Sequence, residues 1–152
     1  MKDFFKVTDL EDVLELVSEF ELVEKEIVPI LKAGGRIIAE NIISDTDLPD
    51  FARSTMDGYA VQASSTFGAT EGNPAFLEMV GTVLMGETAE LSIAPGEAAR
   101  ISTGGMLPVG ADSVVMIEHA QKIDEMALEI YRSVAPGSNM IEKGEDFRKG
   151  ET

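Results

Sequence analysis

Two different textures of hydrophobic and polar positions divide this chain. Leu10, Val13, Leu14, Val17 and Phe20 recur at helical spacing, which predicts an amphipathic helix of about three turns. Thr8-Asp9-Leu10-Glu11 precedes the stripe, a pattern in which a Thr hydroxyl and a Glu carboxylate satisfy two orphan N–H groups at a helix start. Asp9, Glu11 and Asp12 crowd the first turn, where the helix dipole favours negative charge. A second helix is expected over 29–40, interrupted at Gly34-Gly35, because each glycine costs roughly 1 kcal/mol relative to alanine in a helix interior.

After Asp45 the helical period disappears, and short apolar runs alternate with Gly, Pro, Asn and Asp. The runs 59–62, 76–83, 99–102, 113–118 and 128–131 predict strands. Glu71-Gly72-Asn73-Pro74, Ala94-Pro95-Gly96-Glu97, Leu107-Pro108-Val109-Gly110 and Ala135-Pro136-Gly137-Ser138-Asn139 mark the turns between them, since Pro and Gly stop strand pairing. The expected fold class is therefore α+β, with a helical N-terminal arm and a small, mainly antiparallel, β-barrel-like domain. The arm and linker are placed at 1–45, the β-rich domain at 46–137 and a segment returning toward the arm at 138–152.

Composition narrows the function classes. A hydrophobic content of 44% over 152 residues is enough for a core. With 28 acidic and 12 basic side chains the net charge is −16, which argues against nucleic acid and anionic membrane surfaces as partners. Cysteine is absent, so disulfides, thiolate metal sites and thiol catalysis are excluded. The opening Met1-Lys2-Asp3-Phe4-Phe5-Lys6 lacks the apolar core of a secretory signal, and no window approaches the ~18 consecutive apolar residues of a membrane span. A soluble, cytoplasmic protein is expected. Such an acidic chain repels an anionic ligand unless a cation, an Arg or backbone N–H groups compensate.

The candidate chemistry lies in three bends. In Ser54-Thr55-Met56-Asp57-Gly58-Tyr59-Ala60-Val61, Gly58 permits a tight bend with a left-handed backbone that exposes the Asp57 carboxylate. Asp-Gly is also an ordinary hairpin turn. In Arg100-Ile101-Ser102-Thr103-Gly104-Gly105 a strand end is followed by a turn that can aim backbone N–H groups and the Thr103 hydroxyl at a phosphate or oxyanion, although the P-loop lysine is missing. Arg100 can neutralise an anion or pair with a surface carboxylate. Gly144-Glu145-Asp146, with Asp57 and Glu118, offers oxygen ligands to a hard cation such as Mg²⁺. His119, the only histidine, reads as a solvated strand-end residue, since zinc would need further His or Cys ligands.

Taken in order, Gly35-Arg36-Ile37-Ile38-Ala39-Glu40, Asp47-Leu48-Pro49, the Ser54–Val61 string, Arg100-Ile101-Ser102-Thr103-Gly104, Ala111-Asp112-Ser113-Val114-Val115-Met116-Ile117-Glu118 and Gly144-Glu145-Asp146 resemble the N-terminal region of molybdopterin molybdenumtransferases, the MoeA and gephyrin E-domain family. The resemblance implies an enzyme of molybdenum-cofactor maturation that inserts molybdate into adenylylated molybdopterin with Mg²⁺. It implies a homodimer whose active site is shared between subunits. By motif it places Asp57, Thr103 and Asp146 on the cleft wall as catalytic residues, with Ser54, Arg100 and Gly104 as cofactor contacts, and it leaves the protein ligands of any metal open. It also implies that an α/β domain follows in the family chain, so that this piece alone is inactive. The alternative is a non-catalytic dimerisation or docking module using the Leu10–Phe20 stripe. Tungstate in place of molybdate is a further alternative, since the two oxyanions have nearly the same size and charge.

Overall fold

A computed structural model of the chain describes residues 7–152; the opening hexapeptide read above for a secretory signal lies outside the described residues. The chain divides into two units, Met1–Asn41 and Ile42–Thr152. In the first, helix α1 spans Leu10–Val17, shorter than the three turns expected. Asp9 rather than Thr8 is the N-cap, its backbone is extended, and no side-chain cap forms, so the reciprocal Thr8–Glu11 box is not made. Glu11 and Asp12 still lie in the first turn, where they oppose the positive end of the dipole. At the other end Ser18 donates from its hydroxyl to the Glu15 carbonyl at 2.6 Å. The amide of Glu19 bonds back to Leu16 at 3.1 Å and that of Phe20 to Val17 at 3.4 Å, and these tighter turns end the helix early.

The expected second helix is also corrected. Only a single 3-10 turn, Ile30–Lys32, forms, and Gly35 sits at φ +79°, a left-handed bend that an α-helix cannot continue through. Arg36 pairs with Glu26. Leu10, Leu14, Val17, Leu22, Ile27, Leu31 and Ile37 are all exposed, so this unit buries no residue of α1 or of the 3-10 turn.

The second unit holds eight strands: β1 (Arg53–Ser54), β2 (Gly58–Val61), β3 (Ala75–Val83), β4 (Glu97–Ile101), β5 (Ser113–Met116), β6 (Ala120–Lys122), β7 (Ala127–Ile130) and β8 (Met140–Ile141). Six form one sheet in the order β5-β2-β4-β3-β7-β6, and β1 pairs separately with β8. Every pairing is antiparallel except β3 with β4, so the expected α+β class with a mainly antiparallel β-rich part holds. The five predicted strands are present within two residues of their expected ends. β1, β6 and β8 were not anticipated, because two or three residues carry no alternation to read.

β2 lies between β5 and β4, and all four of its residues are buried. Tyr59 and Val61 pack with Leu77, Ala98, Val115, Leu128 and Ile130. Ala60 packs with Val83, Ile101 and Val114 in a second cluster. Alternate residues of the same strands thus feed two cores, as the period of two requires. Burying each Val, Leu or Ile side chain among them stabilises the unit by roughly 1.5–3 kcal/mol.

Gly58 opens β2 where two backbones come unusually close. A Cβ at Gly58 would lie 2.0 Å from the Val115 carbonyl oxygen. The expectation of a left-handed backbone there is corrected, since Gly58 is not among the positive-φ glycines; space, not φ, requires glycine. Gly58→Ala should therefore destabilise the β-rich unit by about 1–3 kcal/mol, the usual cost of overpacking, read as a lower urea midpoint with unchanged slope.

Candidate functional site

Because Gly58 is paired with Ile101 on β4, the residue before β2 and the residues after β4 leave the sheet at the same end. Asp57 and Thr103 meet there. One carboxylate oxygen of Asp57, Oδ1, accepts the Thr103 backbone N–H at 2.7 Å and the Thr103 hydroxyl at 3.0 Å. The Asp57 carbonyl accepts from Ile117 N–H at 3.0 Å. Both residues are exposed, so the pair faces solvent from a rigid base.

The turn that presents Thr103 is closed by Gly105 N–H donating to the Ser102 carbonyl at 2.8 Å, with Gly104 at φ +80°, a conformation glycine adopts without steric cost. Gly104 N–H donates to the Ser54 carbonyl at 2.8 Å. The N–H groups of residues 103, 104 and 105 therefore all have partners inside the chain. The turn was expected to aim them at a phosphate; instead the anion received by Thr103 is the protein's own Asp57 carboxylate. Met85 lies over the turn, 3.2 Å from where a Gly104 Cβ would stand.

Ser54 and Arg100 are also engaged within the fold. Ser54 is buried, and its hydroxyl donates to the Met56 carbonyl at 2.5 Å while accepting the Met56 N–H at 3.2 Å, an ST-type turn that shapes the bend before Asp57. Arg100 donates from Nη1 to the Gly58 carbonyl at 2.9 Å, and its guanidinium carbon stands 5.3 Å from the centroid of the Tyr59 ring.

Asp146 occupies a different place. Its N–H donates to the Leu48 carbonyl at 2.9 Å, within a strip where residues 144–151 are laced to 44–49. With Lys143, Glu145, Arg148 and Lys149 it lines an open concavity of about 540 Å³ that does not include Asp57 or Thr103. Sequence reasoning gave Asp47 no role, yet its carboxylate holds this strip together, accepting Lys149 N–H at 2.9 Å and pairing with Lys143 at 3.3 Å. No spacing rule links positions 102 residues apart. Glu118 and His119 lie in a 3-10 turn, Ile117–His119, with the His119 ring 3.1 Å from Arg132. Among the described residues no three Asp, Glu or His side chains gather around a common cation position, which corrects the expectation that Asp57, Glu118 and the Glu145-Asp146 pair could act as one ligand set.

Electrostatics follow the contacts. The Thr103 N–H, then its hydroxyl, hold the Asp57 carboxyl below its ordinary value of 3.8, with the Arg100 charge adding to the effect against the cost of desolvation. Asp47 is likewise lowered, first by the Lys149 N–H and then by Lys143.

A family model described as the MoeA N-terminal region, domains I and II, matches residues 8–152. The chain belongs to this family. The MoeA N-terminal region seen here is 41% identical, over 91% of its length, to a Methanocaldococcus jannaschii protein named for molybdopterin biosynthesis. It is 38% identical over 84% of its length to the molybdopterin molybdenumtransferase of Bacillus subtilis. A crystal structure of the molybdopterin biosynthesis MoeA protein of Pyrococcus horikoshii superposes with a TM-score of 0.80 at 36% identity, covering 96% of this chain and 38% of that one. The chain spans about a third of the length of these relatives, 33% and 30% of the first two.

The Asp57–Thr103 contact has a signed pH consequence. A carboxyl lowered on folding contributes stability that is fully present above its unfolded value, near 3.8, and that is lost as pH falls through the lower folded value. In a carbon-13 titration the Asp57 carboxyl should therefore have its midpoint below 3.8. Thr103→Val should move that midpoint part of the way back, because the N–H contact survives.

Proposed function

We propose that this chain is the N-terminal part of a molybdopterin molybdenumtransferase that inserts molybdate into adenylylated molybdopterin with Mg²⁺. In this reading it contributes Asp57, Thr103 and Asp146 to an active site shared between two subunits. The observation that carries the reading is the Asp57–Thr103 pair: two residues 46 positions apart are joined by two hydrogen bonds on an exposed sheet end. Relatives named for this transfer, at 38% and 35% identity, support it.

The chain's own residues have definable tasks. Thr103 fixes Oδ1 of Asp57 with two hydrogen bonds, which leaves Oδ2 as the oxygen for work outside the fold. Two anions, a carboxylate and a phosphate or molybdate oxygen, repel when brought together, so the site needs a cation between them. Mg²⁺ keeps several waters and takes one or two protein carboxylates plus phosphate oxygens; Oδ2 of Asp57 suits that demand, and the exposed Asp146 side chain, which lies apart from Asp57 within one chain, would join it only across the subunit boundary. When bound, the ion would supply charge neutralisation and act as a template for the transferring group. Ser54 and Gly104 serve by shaping the bend and the turn that bring Asp57 and Thr103 together. The relatives are about three times as long as this chain, and in this reading the site is completed by parts of the family chain that this sequence does not cover.

In the full-length enzyme Asp57→Asn should lower turnover by about 10²-fold or more, the scale of a positioned acid–base or electrostatic group, while shifting the melting temperature little. Parallel losses of folding and turnover would make Asp57 a structural turn residue instead.

A second reading, an association module, rests on the arm. Leu10, Leu14 and Val17 share the exposed face of α1, and a contiguous apolar patch on a soluble surface marks an interaction site. The partner proposed is a second copy of the same subunit. Leu14→Asp should convert a dimer to a monomer on size exclusion with the melting temperature of the β-rich unit retained. A dimer that survives the change would remove the arm from the interface.

A further inference from the structure

The bend before β2 is held from several sides, and one of its holders was expected to do something else. Arg100 looked like a contact for an anionic ligand. In the fold its guanidinium is cross-strand from Tyr59, lies over the Tyr59 ring at 5.3 Å and donates to the Gly58 carbonyl at 2.9 Å. Tyr59 is buried in the larger core cluster and cannot move without disturbing it, so the ring is a fixed platform for the cation. The Gly58 carbonyl belongs to the Gly58–Tyr59 peptide unit, the second after the Asp57 side chain, so a donor that fixes it fixes the backbone one residue beyond Asp57. A side chain at Gly58 would meet the Val115 carbonyl of β5.

We propose that Arg100 is a positioning residue for Asp57: lying over the Tyr59 ring and bonded to the Gly58 carbonyl, it sets the orientation of the bend from which the carboxylate reaches Thr103. The arginine fork and its place in the chain both suit this task. A guanidinium can lie over an aromatic ring and donate from its edge at once, and here it stands 5.3 Å from the Tyr59 centroid while donating to the Gly58 carbonyl. A lysine ammonium carries the same charge but has no plane with which to do both. Arg100 lies in β4 and Thr103 in the turn that follows it, so adjoining residues carry both the group that orients the Asp57 bend and the group that bonds its carboxylate. The nearby positive charge adds to the lowering of the Asp57 carboxyl.

This inference deepens the proposed function and rests on its reading of Asp57 as a working carboxylate, but its test reads the contact itself. Arg100→Lys and Arg100→Gln would be prepared in the full chain. Each would be followed by the carbon-13 titration of the Asp57 carboxyl and by hydrogen exchange at the Thr103 amide, with the amides of Ala60 and Val61 as controls for the sheet. A positioning role predicts that both variants raise the Asp57 midpoint toward 3.8 and speed exchange at Thr103 roughly tenfold, as expected when a single hydrogen bond is weakened. The control amides should stay protected. If Arg100→Lys leaves titration and exchange as in the parent chain, the charge alone is at work and the positioning role is overturned. If Thr103, Ala60 and Val61 lose protection together in both variants, Arg100 is a general support of the sheet, which equally overturns it. Unchanged turnover in Asp57→Asn would sink the function reading while leaving this result intact, so the two failures are distinguishable.

Discussion

The close approach of β2 and β5 at Gly58 is the constraint on which the β-rich unit depends. With the Val115 carbonyl 2.0 Å from where a side chain would begin, the strand can pair on both sides only if that position is empty. That pairing buries all four residues of β2, divides the core into two clusters either side of the strand and delivers Asp57 to the sheet end where β4 also stops. A single missing Cβ thus connects core packing with the placement of the carboxylate.

Around that point the backbone groups are almost fully accounted for inside the chain. Ser54 shapes the approach, Arg100 takes the Gly58 carbonyl, Ile117 takes the Asp57 carbonyl and Thr103 takes the side chain. A bend held this way loses little entropy when it meets a ligand, because its geometry is already determined. It also explains how an acidic chain tolerates an outward carboxylate, since two hydrogen bonds to the ionised form stabilise the charge. The same economy operates at the far strip, where Asp47 gathers Lys143 and the Lys149 amide. Among the described residues no helix is long and apolar enough to cross a membrane.

The two units contrast in how they use apolar residues. In Ile42–Thr152 the large aliphatics at 61, 101, 114, 115, 128 and 130 are fully buried. In the N-terminal unit α1 and the 3-10 turn bury none. A helix of eight residues is too short to be stable on propensity alone, so its apolar face is the part of this chain whose stability depends most on contacts with another surface.

Strand positions were legible in the residues because alternation and Gly-Pro punctuation are local signals, and the family was legible because several motifs recur in one order. Asp57, Thr103 and Asp146 stood out for the same reason. Local signals failed where pairing partners decide the outcome. The two-residue strands at 53–54 and 140–141 exist only because each supplies the other's hydrogen bonds, and the second helix is lost where the glycine pair turns the chain. Sequence by itself determined which residues carry oxygen, charge and conformational freedom. Only the tertiary structure decided what those groups face: Thr103 meets Asp57 rather than an outside anion, Arg100 meets a carbonyl and a ring, and Gly58 is glycine for lack of space. Contacts between residues 42 or 46 positions apart are set by strand register, and register is a property of the folded sheet.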